Sequence, residues 1–117
     1  MLLGLAACAL SGEGTVGDLF TVATYTPTGE GGFMARLDGT LVEQGGCLTV
    51  QANGGLVVPV FASGDVVVES GDQLRFGGEE YRLGESITLA GGFSPGQSLP
   101  ESCAWVDASE VFVVAQV

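Results

Sequence analysis

Cysteine is the most reactive residue type in this chain of 117 residues, and it occurs at Cys8, Cys47 and Cys103. A thiolate can ligate zinc, attack a substrate or form a disulfide. Zinc is disfavoured because the chain has no C-x-x-C spacing and no histidine to complete a tetrahedral site. Nucleophilic catalysis is disfavoured because histidine and lysine, the usual partner bases, are both absent. The sequence therefore predicts a protein that is not an enzyme and has no cofactor or metal.

Paired carboxylates are the remaining catalytic option. Glu79 with Glu80, or Glu69 with Asp72, could serve as the two acids of a glycoside hydrolase. Adjacent residues of a strand point to opposite faces, however, and carboxylates in turns are mostly solvated. The chain also lacks the Asp-x-Asp-x-Asp-Gly pattern of a calcium loop. A hydrolase is the least favoured interpretation, and weak binding of a cation or small ligand by acidic turns stays open.

Four aromatic residues could form a binding surface for a sugar or a partner protein: Trp105, Tyr81, Phe93 and Tyr25. The alternative for Tyr81 and Phe93 is that they fill or line the core. Trp105 follows Cys103 in a predicted loop, where either role is open.

The charge balance argues against two classes of partner. The chain has 14 acidic residues and only three basic ones, with a formal net charge of −11. Nucleic acid and anionic lipid head groups are both recognised through Lys and Arg, so neither is an expected partner. No run reaches the roughly 18 to 20 apolar residues of a transmembrane helix, and none is predicted.

The segment Leu5-Ala6-Ala7-Cys8 resembles the lipobox of bacterial lipoproteins. The resemblance implies cleavage before Cys8, a diacylglycerol on its sulfur, and a location outside the cytoplasm in the cell envelope. The stretch before Cys8 carries no Lys or Arg and is short for a secretory signal, so we interpret residues 1–8 as a truncated signal peptide. Residues 9–17 are mostly small or polar and are predicted to be a flexible tether. The alternative is an ordinary N-terminal strand or helical turn with a buried free cysteine.

Lipid on Cys8 would leave Cys47 and Cys103 to pair with each other. A disulfide between them would stabilise the fold by roughly 4 kcal/mol on the chain-entropy model. This is a large fraction of the stability of a small domain.

Glycine content and apolar periodicity predict an all-β domain over residues 18–117. The chain has 20 glycines, and one long stretch alternates apolar with polar side chains. Its predicted inward residues are Phe33, Ala35, Leu37 and Leu41, and its predicted outward residues are Arg36 and Asp38. Gly39 falls on the inner face, where a missing side chain permits a sharp bend. Helix is expected at most as a turn near Pro100 to Cys103.

Residues 39–114 resemble a domain of uncharacterised bacterial envelope proteins, many of them lipoproteins. The motifs that carry the resemblance are Gly46-Cys47-Leu48, Val58-Pro59, the segment from Leu83-Gly84-Glu85 through Leu89-Ala90-Gly91-Gly92, and Leu99-Pro100-Glu101-Ser102-Cys103. It implies a small barrel of five to six strands, closed or partly open and similar to the OB-fold, with the two cysteines bonded across it. It implies no activity.

These observations together predict a lipid-anchored envelope protein that acts as a binding or structural module. An accessory protein that binds a cation or small ligand is the alternative. The expected partner is a protein or a cell-wall glycan, the only expected membrane contact is the lipid on Cys8, and the expected state is a monomer.

Overall fold

The computed structural model describes residues 14–17, 19–27 and 35–117. Within them the chain forms ten β-strands and two short 3₁₀-helices, which confirms the predicted all-β class. The strands are β1 (Gly14–Val16), β2 (Thr21–Tyr25), β3 (Ala35–Gln44), β4 (Cys47–Ala52), β5 (Gly55–Ala62), β6 (Val66–Val68), β7 (Gln73–Phe76), β8 (Glu79–Arg82), β9 (Ser86–Phe93) and β10 (Val111–Val114). The 3₁₀-helices are Glu101–Cys103, where a helical turn was predicted, and Ala108–Glu110.

Five strands pair in a ring. The order runs β3, β4, β5, β10, β9 and back to β3, with parallel pairing between β5 and β10 and antiparallel pairing elsewhere. Strands β3, β4 and β5 follow one another through tight turns, whereas β9 and β10 return from farther along the chain. This ring-like sheet has the strand number expected of a small, partly open barrel.

Strand β2 adds a sixth member at one end of the ring. Strands β4 and β5 pair directly only near their shared hairpin, from Val50 opposite Val57 to Ala52 opposite Gly55. Farther from the hairpin, β2 lies between them, with Thr21 beside Cys47 and Ala23 beside Val60. The ring therefore has five strands at one end and six at the other.

Strand β1 lies in the segment predicted to be a flexible tether. Residues 14–16 pair antiparallel with β2, from Gly14 opposite Ala23 to Val16 opposite Thr21. That part of the tether prediction differs from the structure because these residues extend the sheet. Residues 1–13, with the predicted signal peptide and Cys8, lie outside the described residues.

A separate three-stranded sheet, β6-β7-β8, packs on the same core as the ring. The prediction of a single barrel did not separate this sheet from the ring. Tight turns at Gly71 and Gly77-Gly78, all with positive φ, let these short strands pair with each other instead. The rings of Phe61 in β5 and Phe76 in β7 are 4.9 Å apart and join the two sheets.

The predicted facing of β3 is confirmed where the structure describes it. Leu37 and Leu41 are buried, Ala35 is half-buried, and Arg36 and Asp38 are exposed. Phe33 lies outside the described residues.

Candidate binding surface

The predicted disulfide is present. Cys47 is the first residue of β4 and Cys103 the last residue of the first 3₁₀-helix, and their sulfurs are bonded at 2.04 Å with the Cα atoms 5.0 Å apart. Both residues are fully buried. The bond fastens residues 94–110, the long connection between β9 and β10, to the ring.

A second apolar cluster surrounds this bond, apart from the main core. Its buried members besides the cysteines are Ala23, Val58, Val60 and Val111. Leu99 and Val106, both from the long connection, pack against it. Apolar packing before and after Cys103 thus holds the long connection against this cluster. Trp105 lies between Cys103 and Val106, within the part that is held.

Trp105 is an exposed indole in a fixed position. Its side chain is 48% exposed, and its Nε1–H donates a hydrogen bond to the Ser102 carbonyl at 2.8 Å. The indole lies against the turn between β3 and β4, where a Cβ placed on Gly45 would come within 3.4 Å of Nε1. Gly45 and Gly46 both have positive φ, and the Gly46 N–H donates to the Glu43 carboxylate at 2.7 Å. Because glycine has no side chain, the indole can lie close to the backbone of this turn.

A shallow, open groove lies next to the backbone that holds this indole. It has a volume of about 430 Å³ and is lined by Val16, Thr21, Pro100, Glu101 and Ser102, but not by Trp105 itself. Ser102 belongs to both features, because it lines the groove and its carbonyl accepts the Trp105 hydrogen bond. We call Trp105 and these five residues the Trp105 face.

Phe93 lies in a different place. It is 51% exposed and packs edge-on against Phe112, with ring centroids 5.1 Å apart. It lines a groove of about 470 Å³ together with Leu37, Glu110 and residues 52–57. This groove lies by the first half of β3, whereas Trp105 lies against the turn after β3 ends.

The two tyrosines contact the interior. Tyr81 is half-buried and packs on the main core, in agreement with the alternative reading of that residue. The Tyr25 hydroxyl donates to the Val114 carbonyl at 2.8 Å, and burial, reinforced by Asp65, raises the pKa of this phenol. The four nominated aromatics therefore do not form one surface, and Trp105 and Phe93 are the two that face solvent prominently.

Two of the four nominated carboxylates take part in surface ion pairs. Glu69 and Glu80 both contact the Arg75 guanidinium, at 3.1 and 2.9 Å. Asp38 accepts hydrogen bonds from the Thr88 hydroxyl and from Arg36, which together lower the pKa of its carboxyl group. Such exposed pairs are common on protein surfaces and contribute little to stability.

The described residues contain neither a group of metal-ligating side chains nor a membrane-spanning helix. No group of three or more His, Cys, Asp or Glu side chains in that part of the chain is arranged to hold a metal ion. No helix within it has the length and apolar character to cross a membrane.

Comparison of the chain with protein-family models, with curated proteins and with solved structures found no match.

Sequence reasoning singled out Trp105 but missed the groove beside it. The groove joins β1, predicted as tether, to the 3₁₀-helix Glu101–Cys103, and no local pattern brings these two segments together.

Proposed function

We propose that this protein is exported and anchored to a bacterial membrane by lipid on Cys8, and that its domain acts in the cell envelope as a binding or structural module. The observation that carries the proposal is the buried disulfide between Cys47 and Cys103. Disulfides persist in oxidising compartments and are rare in the cytosol of mesophiles. With two of the three cysteines bonded together, Cys8 is the one left for modification.

The number of residues between Cys8 and the domain limits how far a lipid on Cys8 would hold the domain from the membrane. Five residues, 9–13, separate Cys8 from the start of β1 at Gly14. A fully extended segment of this length spans about 20 Å at most, so the lipid would hold the domain close to the membrane surface.

Trp105 supports a binding role for the domain. A large aromatic side chain that is half exposed yet held by a hydrogen bond loses little freedom when a partner covers it. Tryptophan is among the residues that most often dominate binding energy at protein interfaces. A protein or a cell-wall glycan remains the proposed class of partner.

Fractionation of cells that make the protein tests the anchor. Wild-type protein is expected in the membrane fraction and released only by detergent, whereas Cys8→Ser should appear in the soluble fraction. Ser11→Ala, a matched small change just beyond the cysteine, should stay with the membrane. A soluble wild-type protein, or a Cys8→Ser protein retained as firmly as wild type, would contradict the proposal.

A further inference from the structure

We infer that the Trp105 face binds a positively charged segment of a partner protein. The inference rests on the proposed role as a binding module and names the chemistry of its partner. Three features of the face carry it: the fixed indole, the groove beside it, and carboxylates that lack a cationic partner.

The fixed indole offers a preorganised contact. Three constraints hold Trp105: the hydrogen bond to Ser102, the glycine turn beneath it, and the disulfide at Cys103, two residues earlier. A partner group that packs on the ring therefore meets a surface that is already ordered.

The carboxylates near this face have no cationic partner in the part of the chain that the structure describes. The long connection supplies Glu101 and Asp107, and the end of β3 supplies Glu43. None of these three forms an ion pair with a described residue, although Glu43 accepts a backbone N–H.

All three arginines of the chain lie elsewhere. Arg36 pairs with Asp38, Arg75 pairs with Glu69 and Glu80, and Arg82 lies opposite Gln73 on β7. Glu101 on the Trp105 face, with Asp107 and Glu43 near it, thus has no compensating positive charge among the described residues, and a cationic partner would complement this group.

The groove suits a Lys or Arg side chain. Val16, which is 77% exposed, offers apolar contact for an aliphatic stem, and the exposed Glu101 carboxylate is available for its charged end. A second cation could lie over the Trp105 ring, where the aromatic face attracts positive charge. A net charge of −11 disfavours an anionic ligand.

Trp105 is the only tryptophan of the chain, so its fluorescence reports on this face alone. The test titrates the full chain, purified in nonionic detergent, with a hexalysine peptide. We expect a saturable change in emission. Glu101→Gln should weaken binding at least about threefold, as expected when a charged contact worth about 0.7 kcal/mol or more is lost.

Glu79→Gln is the matched control, because it removes the same charge from an exposed glutamate at the start of β8. It should change the affinity less than about twofold, since a single distant charge is largely screened. Trp105→Phe, measured by calorimetry with the melting temperature as a folding check, should weaken binding by more than Glu79→Gln does.

Equal losses in Glu101→Gln and Glu79→Gln would show general attraction to an acidic protein and would overturn the inference. A response to a tetramer of N-acetylglucosamine and none to hexalysine would overturn it in favour of a glycan. The titration does not depend on Cys8, so its failure leaves the proposed anchor to be decided by fractionation.

Discussion

At the scale of single residues, the missing side chain of Gly39 allows β3 and β4 to pack closely. A Cβ on Gly39 would collide with the backbone oxygen of Gln51 and lie 2.6 Å from Cγ1 of the buried Val50. Both neighbours belong to β4, so relief would require movement of the backbone of the ring.

Gly39→Ala should therefore lower the free energy of unfolding by about 1–3 kcal/mol, the usual cost of overpacking a core. Gly55→Ala is the control, because Gly55 has no heavy atom within 4 Å of its Cβ position and no positive φ. Urea unfolding of both variants measures the difference. Equal losses of unfolding free energy in Gly39→Ala and Gly55→Ala would contradict the close approach of β3 and β4 at Gly39.

Residue-scale prediction from sequence succeeded where a local pattern carried the information. Alternation along β3 was enough to predict that Leu37 and Leu41 face inward, because a strand side chain changes face at every residue. The contact of Trp105 with Gly45 could not be predicted, because it depends on how the long connection folds back onto the ring.

At the scale of elements, the ring and the three-stranded sheet share one core and should unfold together. Phe76 comes from the small sheet and Phe61 from the ring, and both belong to the main apolar cluster. Neither sheet can bury its apolar face without the other, which favours a single cooperative transition.

Phe76→Ala should lower the free energy of unfolding by about 3 kcal/mol, the lower end for a truncated core phenylalanine. The circular dichroism of the strands and the fluorescence of Trp105 should still report unfolding at the same midpoint. Val67→Ala, an exposed position on β6, should change stability by less than about 0.5 kcal/mol. Two separate midpoints would contradict a shared core.

The positions of the strands could be predicted from the sequence better than the pairing between them. A hairpin such as that of β7 and β8 has a local signal, because the Gly77-Gly78 turn lies between its two strands. The pairing of β5 with β10 joins segments far apart in sequence, and the place of β2 between β4 and β5 has no sequence signal. Periodicity identifies a strand, but it does not identify the strand's neighbours.

At the scale of the whole molecule, the disulfide should contribute a large share of the stability. It closes a loop between residues 56 positions apart, which limits the freedom of the unfolded chain. The double variant Cys47→Ala with Cys103→Ala should lose about 2–4 kcal/mol, and its melting temperature should fall by about ten degrees or more.

Cys8→Ser is the control for that experiment, because Cys8 takes no part in the bond. Its melting temperature should match that of the wild type. A double variant that melts with the wild type would mean that the apolar cluster alone holds the long connection in place.

The central claim, that Cys8 carries lipid while Cys47 and Cys103 are bonded, can be tested by one peptide map. Trypsin cleaves after Arg36, Arg75 and Arg82, so each cysteine falls in a separate peptide. Mass spectrometry of unreduced protein from membranes should find residues 37–75 linked to residues 83–117. It should also find an N-terminal peptide that begins at Cys8 and carries acyl mass. An unmodified peptide that continues upstream through Cys8, or a disulfide that includes Cys8, would contradict the claim.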